Sequence, residues 1–354
     1  MESDSASIEP RSLAAALDPE HVLFVMTPEE RQLFLPDCDD RFAADARKTW
    51  VNAKVMSARE WAETLRELRP TVLVTAWSCP KIPVSWALAD DCPLKYVCSV
   101  TGSVKPRIPR VVLEKGVLVS NWGNIISYTI AEHALLMVLS CLRNVGHWPA
   151  LIAEPQPMFA MMPRMKTRSL RGKRVGLHGF GAIARELASM LKPHQVRLSS
   201  WSQGVPSALF AEHGVRRSES LAELFATSDI LIECEGLNDL SRGSVTESLL
   251  RTMPAEAVFV NIARGHLVED ESALAALASE GRIRVALDVF HTAHLAAHSP
   301  LRTSENILLS PHVAGPTWDT YPLLGEQAMT NIEKYLNGET PDNVVTLEIY
   351  DRST

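Results

Sequence analysis

The segment Gly179-Phe180-Gly181-Ala182-Ile183-Ala184 has the residue types and spacing that point most directly to chemistry. Val175 and Leu177 lead into it as a strand. Leu187, Met190 and Leu191 follow on one helical face, and Val196, Leu198 and Ser200 then alternate as a second strand. Strand, glycine turn, helix and strand form the dinucleotide fingerprint, here with alanine at the third small position. Gly179 permits the turn, Gly181 lets a pyrophosphate approach the backbone, and Ala184 keeps helix and strand close. The helix start offers free N–H groups and a partial positive charge to the phosphates. The cofactor-facing backbone therefore runs from Gly179 and Phe180 through Gly181 to Ala182 and Ile183. A glycine turn alone is often only a helix–strand connection; the two flanking strands make a nucleotide site the stronger reading.

The rest of the chain supplies elements to hold such a turn. Strands are expected at His21 to Met26, Thr71 to Ala76, Tyr96 to Val100 and Val117 to Ser120, with an amphipathic helix at Ala58 to Leu68. A first α/β unit ends near Asn121-Trp122-Gly123-Asn124, and residues 1 to about 19 read as a loose polar leader. Ile130 to Leu142 is a helix apolar on most sides, expected to lie buried between domains or subunits. Glu154 to Lys166, rich in proline and methionine, reads as an irregular arm. Beyond the glycine turn, strands at Ile230 to Glu233, Val258 to Asn261, Val285 to Phe290 and Ile307 to Ser310 alternate with helices at Leu221 to Ala226, Glu247 to Thr252 and Glu271 to Ser279. A last helix spans Asp319 to Leu336, interrupted near its start by Pro322. This rhythm is that of α/β layers with parallel strands. In such a sheet the switch point lies beside Gly179 and Gly181, and ligands meet the carboxyl ends of the strands. Those ends carry Gly236, Ala263-Arg264-Gly265, Asp288 and Pro311-His312.

Composition bounds the function. At 354 residues and 46% hydrophobic content the chain suits two domains with large cores. The net charge of -7 gives no basic footprint for nucleic acid. Ala134 to Leu142, the longest apolar run, is too short for a membrane span. The acidic, polar start does not fit a secretory signal. Six scattered cysteines without a CxxC pair fit reduced thiols in a cytoplasm.

Four motifs in order extend the picture: the glycine turn with Ala131-Glu132-His133 upstream, Asn261-Ile262-Ala263-Arg264-Gly265, Leu287-Asp288-Val289-Phe290, and Ser310-Pro311-His312-Val313-Ala314-Gly315. Together they resemble the D-2-hydroxyacid dehydrogenase family from about Tyr96 to about Gly338. The resemblance implies two doubly wound parallel-sheet α/β domains, a Rossmann nucleotide domain (125–318) inserted into a flavodoxin-like substrate domain (1–124 and 319–354). It implies hydride transfer between NAD or NADP and a 2-hydroxy acid/2-keto acid pair, in the reductive direction, with glyoxylate- or hydroxypyruvate-like acids among the candidates. It also implies a homodimer. A substrate carboxylate wants a planar two-pronged cation, and Arg264 is the candidate. His312 fits the proton donor to the carbonyl oxygen. By resemblance Asp288 fixes the nicotinamide carboxamide, while Gly236, Ala263, His312 and Gly315 line the cofactor. Gly102 and Ser103 offer backbone N–H groups to the carboxylate from the other domain, with an ordinary turn an equal reading. His133 reads as helix packing.

The sequence departs from the family twice. The glutamate that supports the histidine is replaced, without a gap, by Ala293, and alanine can neither orient an imidazole nor favour its cation. Three histidines crowd that loop, His291, His294 and His298, and one of them is a candidate to take over the support; a solvated loop is the plain reading, and a metal cluster is not expected. The end of the second nucleotide strand reads Trp201-Ser202-Gln203, without the acid that would bind the ribose of NAD. Ser202 can hydrogen-bond either cofactor, so NAD and NADP both stay open. A second class of function follows from these gaps: a nucleotide-binding sensor or assembly subunit with impaired or no dehydrogenase activity.

Overall fold

The computed structural model describes residues 20–36, 46–153 and 157–352; the leader at 1–19 lies outside them. A first sheet contains β1 (His21–Val25), β2 (Arg47–Val51), β3 (Val72–Thr75), β4 (Tyr96–Ser99) and β5 (Leu118–Ser120). Its strands are all parallel, in the order β2-β1-β3-β4-β5, which is the flavodoxin-like order. Strands β1, β3 and β4 are buried at every position, as continuous apolar runs between two helical layers must be. The sequence reading missed β2. It is an edge strand, only partly buried, and opens with Arg47-Lys48, so it lacks the apolar run that marks the others.

The second sheet contains β6 (Arg174–His178), β7 (Arg197–Trp201), β8 (Arg216–Arg217), β9 (Ile230–Glu233), β10 (Ala257–Asn261), β11 (Ile283–Leu287) and β12 (Ile307–Leu309). Its order is β12-β11-β10-β9-β6-β7-β8, again all parallel. The chain winds outward in one direction from β6 to β8 and in the other from β9 to β12. The crevice at the switch therefore opens where β6 carries the glycine turn.

The helix expected at Ile130 to Leu142 runs from Ser127 to Arg143. It buries Ala131, Ala134, Met137, Val138, Cys141 and Leu142 in the core of the second sheet, with the Ala182–Leu191 helix beside it. Its opposite face leaves Tyr128 and Leu136 exposed, so the burial seen within this chain is one-sided. The arm at Glu154 to Lys166 is a correction: Met158–Met165 is helical. Methionine is a good helix former, and Pro157 stands just before the first helical residue, where a missing N–H costs nothing. Pro322 likewise does not interrupt the last long helix but opens it, at Tyr321–Leu336. That helix returns to the first sheet, where Asn331 Nδ2 donates to Ser120 Oγ at 3.3 Å. A short helix follows, Leu347–Arg352, whose Tyr350 hydroxyl donates to the Ile108 carbonyl at 2.8 Å.

Candidate active site

The two glycines of the turn do different work. Gly179 has φ +91°, and a Cβ there would stand 2.7 Å from both N and Cα of Glu235, so the fold itself requires glycine. A Cβ on Gly181 would meet nothing within 4 Å. The protein therefore does not need that glycine for packing; the open space suits a ligand that comes close to the backbone. Gly181 caps the Ala182–Leu191 helix without any side-chain hydrogen bond, which leaves the first N–H groups for an anion. Phe180 turns inward and stacks on Phe210 with ring centroids 4.5 Å apart, so only its backbone faces the turn.

A cavity of about 490 Å³ opens at this end of the sheet, over β7, β6 and β9. Of the residues read as cofactor-binding, Gly179, Phe180, Gly181, Ser202 and Gly236 line it. Ala182 and Ile183 start the helix beside it. The sequence reading missed two charged residues in this wall, Glu235 and Arg352. Beneath it lies a second feature that went unread. His178 and Glu233 end β6 and β9 and pair at 2.7 Å with almost no exposure. Burial works against the His178 cation, but the Glu233 carboxylate more than offsets it and raises the pKa; burial also raises that of Glu233. Glu233 Oε1 is buried without a hydrogen-bond partner.

Ala263, Arg264, Asp288, His312 and Gly315 lie outside that cavity, at or just beyond the carboxyl ends of the neighbouring strands β10, β11 and β12. Arg264 donates Nη1–H to its neighbour's carbonyl on Ala263 at 2.7 Å, and Asn261 Nδ2 holds the Arg264 carbonyl at 2.8 Å. Burial alone lowers the pKa of this guanidinium, and no carboxylate among the described residues is paired with it. A half-buried cation without a counter-charge among the described residues suits an anion.

For Asp288 the structure adds a role beside the cofactor contact expected from the sequence. Its carboxylate is fully buried and is occupied by its own protein. Val313 N–H donates to Oδ1 and Ala314 N–H to Oδ2, each at 2.9 Å; the Ser310 hydroxyl donates to Oδ1 as well. His133 Nε2 stands 3.1 Å from Ser310 Oγ and 3.5 Å from Asp288 Oδ1. Burial pushes the Asp288 carboxyl up, but these donors more than offset it and hold its pKa below the ordinary value. Asp288 thus holds the loop that carries His312. His133, read as packing, is part of the same network. His312 itself is exposed, with φ +60°, and has no hydrogen-bond or ionic partner among the described residues.

The first sheet contributes the loop after β4. The Trp122 indole lies across Gly102 where a side chain would be, and Asn121 Nδ2 donates to the Gly102 carbonyl at 2.7 Å. Arg107, another residue unnoticed in the sequence, lies buried under this loop. Its Nη2 donates to Thr101 Oγ1 at 2.9 Å and to the Ser103 carbonyl at 3.1 Å. Its Nε is buried and unpartnered, so a positive charge underlies Gly102 and Ser103.

None of the loop histidines is bonded to His312 in this structure. His291 Nε2 is 2.8 Å from the Val268 carbonyl, and its ring stacks on His266. His294 and His298 are exposed. Among the described residues no group of three His, Cys, Asp or Glu is placed to hold a metal ion, and the five cysteines present are free thiols. No single helix among them is long and apolar enough to cross a membrane.

A doubly wound parallel sheet with an uncapped, glycine-started helix at its switch point defines a dinucleotide-binding α/β protein. Residues 135–314, just over half of the chain, match the family model for the NAD binding domain of D-isomer specific 2-hydroxyacid dehydrogenases. A glyoxylate reductase of Aeropyrum pernix is 30% identical over 243 residues, 66% of this chain and 71% of the relative. An (S)-sulfolactate dehydrogenase of Chromohalobacter salexigens is 28% identical over 222 residues, 62% of this chain and 70% of the relative. Among solved structures, the NAD-complexed D-isomer specific 2-hydroxyacid dehydrogenase of Lactobacillus delbrueckii ssp. bulgaricus superposes with a TM-score of 0.73 over 92% of this chain and 100% of that one, at 17% identity. The chain belongs to the D-isomer specific 2-hydroxyacid dehydrogenase family. Its class is that of NAD-dependent oxidoreductases acting on 2-hydroxy acid/2-keto acid pairs.

Proposed function

We propose that the protein reduces a small 2-keto acid, with Arg264 as the carboxylate clamp and His312 as the proton donor. The observation that carries this reading is the half-buried guanidinium of Arg264 at the end of β10, with no carboxylate partner among the described residues. When bound, the nicotinamide supplies the hydride. Arg264 would take the substrate carboxylate through two parallel N–H bonds, which fixes the adjacent carbonyl in one orientation. Gly102 and Ser103, over the buried Arg107, would add backbone donors from the other side. His312 would give its proton to the carbonyl oxygen as it becomes the alcohol. Asp288, through Ser310 and the Val313 and Ala314 amides, is a positioning residue for His312. The relatives favour a compact acid such as glyoxylate, because glyoxylate reductases recur among them. The domain limits 1–124, 125–318 and 319–354, a homodimer and a cytoplasmic setting belong to the same proposal.

The test follows NADH oxidation with glyoxylate, hydroxypyruvate, pyruvate and phenylpyruvate in wild type and Arg264→Lys, beside cofactor binding measured separately. Turnover of a keto acid by wild type and a loss of about a hundredfold or more in kcat/KM for the lysine variant are expected, with cofactor affinity kept, since lysine cannot make the two-pronged bond. Cofactor binding without turnover of any keto acid would favour the second reading, a nucleotide-binding protein that has lost the reaction. Ala293 and the unpartnered His312 are the observations behind that alternative.

A further inference from the structure

We propose that Glu235 is the acid that reads the adenosine ribose, reaching in from β9 to replace the carboxylate missing after β7, and that it makes NAD(H) the preferred cofactor over NADP(H). This rests on the dinucleotide site at the glycine turn. Strands β7 and β9 flank β6 on opposite sides, so the residues just beyond their ends converge above that turn. Ser202, the first residue after β7, donates its hydroxyl to Glu235 Oε2 at 3.2 Å. The backbone of Glu235 lies directly against Gly179. Both residues line the cavity.

The carboxylate is held before any ligand arrives. The Gly236 N–H donates to Glu235 Oε1 at 3.1 Å. The Ser241 hydroxyl fixes the Gly236 carbonyl at 2.7 Å, and Asn238 Oδ1 accepts from Leu240 N–H at 2.9 Å and Ser241 N–H at 3.1 Å. The turn after β9 is thus closed on itself and sets the direction of Glu235. A carboxylate accepts about four hydrogen bonds, and two are used here, which leaves acceptors for a pair of vicinal ribose hydroxyls. A 2′-phosphate would bring a second negative charge to the same place, inside a partly enclosed cavity where repulsion is strong.

Arg352 is the competing group. Its guanidinium stands at the Gly204 rim, 3.7 Å from where a Cβ on that glycine would be. But it is largely exposed and faces Glu348 Oε1 at 3.3 Å, so its charge already has a partner. Gln203 and Gly204 carry no charge.

The test is cofactor affinity, read by quenching of tryptophan fluorescence and by calorimetry, for NADH and NADPH with wild type, Glu235→Gln, Glu235→Ser and Arg352→Ala. Wild type is expected to bind NADH about tenfold or more tightly than NADPH, the size of hydrogen bonds to a charged group plus the repulsion. Glu235→Gln keeps the shape and one of the two acceptors but removes the charge, and should shift the NADH/NADPH ratio toward NADPH by about tenfold. Glu235→Ser should shift it in the same direction. A wild type that favours NADPH, a ratio unmoved in both Glu235 variants, or a ratio that follows Arg352→Ala instead would overturn the assignment. Failure of wild type to bind either cofactor would sink the dinucleotide site itself, which is a different result from a misplaced specificity.

Discussion

Arg264 and His312 differ in how the chain prepares them. Arg264 is half-buried, anchored at its backbone and without a carboxylate partner among the described residues, so the proposed binding role needs nothing further from the protein. His312 is exposed and bonded to nothing among the described residues, and Ala293 stands where the family has a glutamate. A carboxylate within hydrogen-bonding distance favours an imidazolium and holds the ring in one orientation. Ala293→Glu combined with His294→Pro is therefore expected to raise keto acid reduction. The sign with pH follows from protonation. In acid an imidazole carries its proton with or without a carboxylate, so the gain is small there. A neighbouring carboxylate favours the protonated ring, so the gain grows as pH rises. Rate–pH profiles of wild type and double variant, with His312→Ala as the blank, check this. Equal profiles would mean that the loop does not approach His312.

Asp288 shows how an element can matter more than its position in a motif suggests. It joins the end of β11 to the loop after β12 through Ser310, Val313 and Ala314, and reaches the Ser127–Arg143 helix through His133. Asp288→Ala would strand those donors, at a cost of roughly 2–4 kcal/mol by the penalty for buried unsatisfied groups. Its pKa is depressed in the fold, so its contribution is present above the ordinary aspartate range and is lost as pH falls through the lower folded value. Denaturant unfolding at pH 7 should show the full loss in Asp288→Ala, and the gap to wild type should close only in strong acid. Reductive turnover should fall with it while NADH still binds the glycine turn. Unchanged stability would remove Asp288 from this role. The motif was visible in the sequence, but the direction of its carboxylate was not, because that depends on how the loop after β12 closes over β11. Glu235 was hidden for the same reason: its meeting with Ser202 exists only because β7 and β9 end on either side of β6. Strands such as β1, β9 and β10 were readable because every position is buried and therefore apolar or nearly so.

At the scale of the molecule, the two sheets account for most apolar surface but not all of it. The one-sided Ser127–Arg143 helix leaves Tyr128 and Leu136 uncovered, and the helices that follow it expose Trp148, Ile152, Phe159 and Met162. Ile152 is 82% exposed and Phe159 80%, and six exposed large apolar side chains fall on three successive helices. The sequence reading expected an irregular arm here; helices present the apolar residues on firmer ground, which suits a repeated contact. We propose that this face is covered by a second copy of the chain, in line with the homodimer expected from the family. A two-fold contact sets the same patch against itself, so one substitution is felt twice. Leu136→Asp with Phe159→Asp introduces four buried carboxylates per dimer, each without a partner, and burial of an unpaired charge costs far more than a single apolar contact gains. Sedimentation velocity should show wild type as a dimer and the double variant as a folded monomer. Neither substituted position lines the cavity over the glycine turn, so the monomer should still bind NADH. A wild type that sediments as a monomer would leave the apolar face to some other occupant and remove the dimer from the proposal.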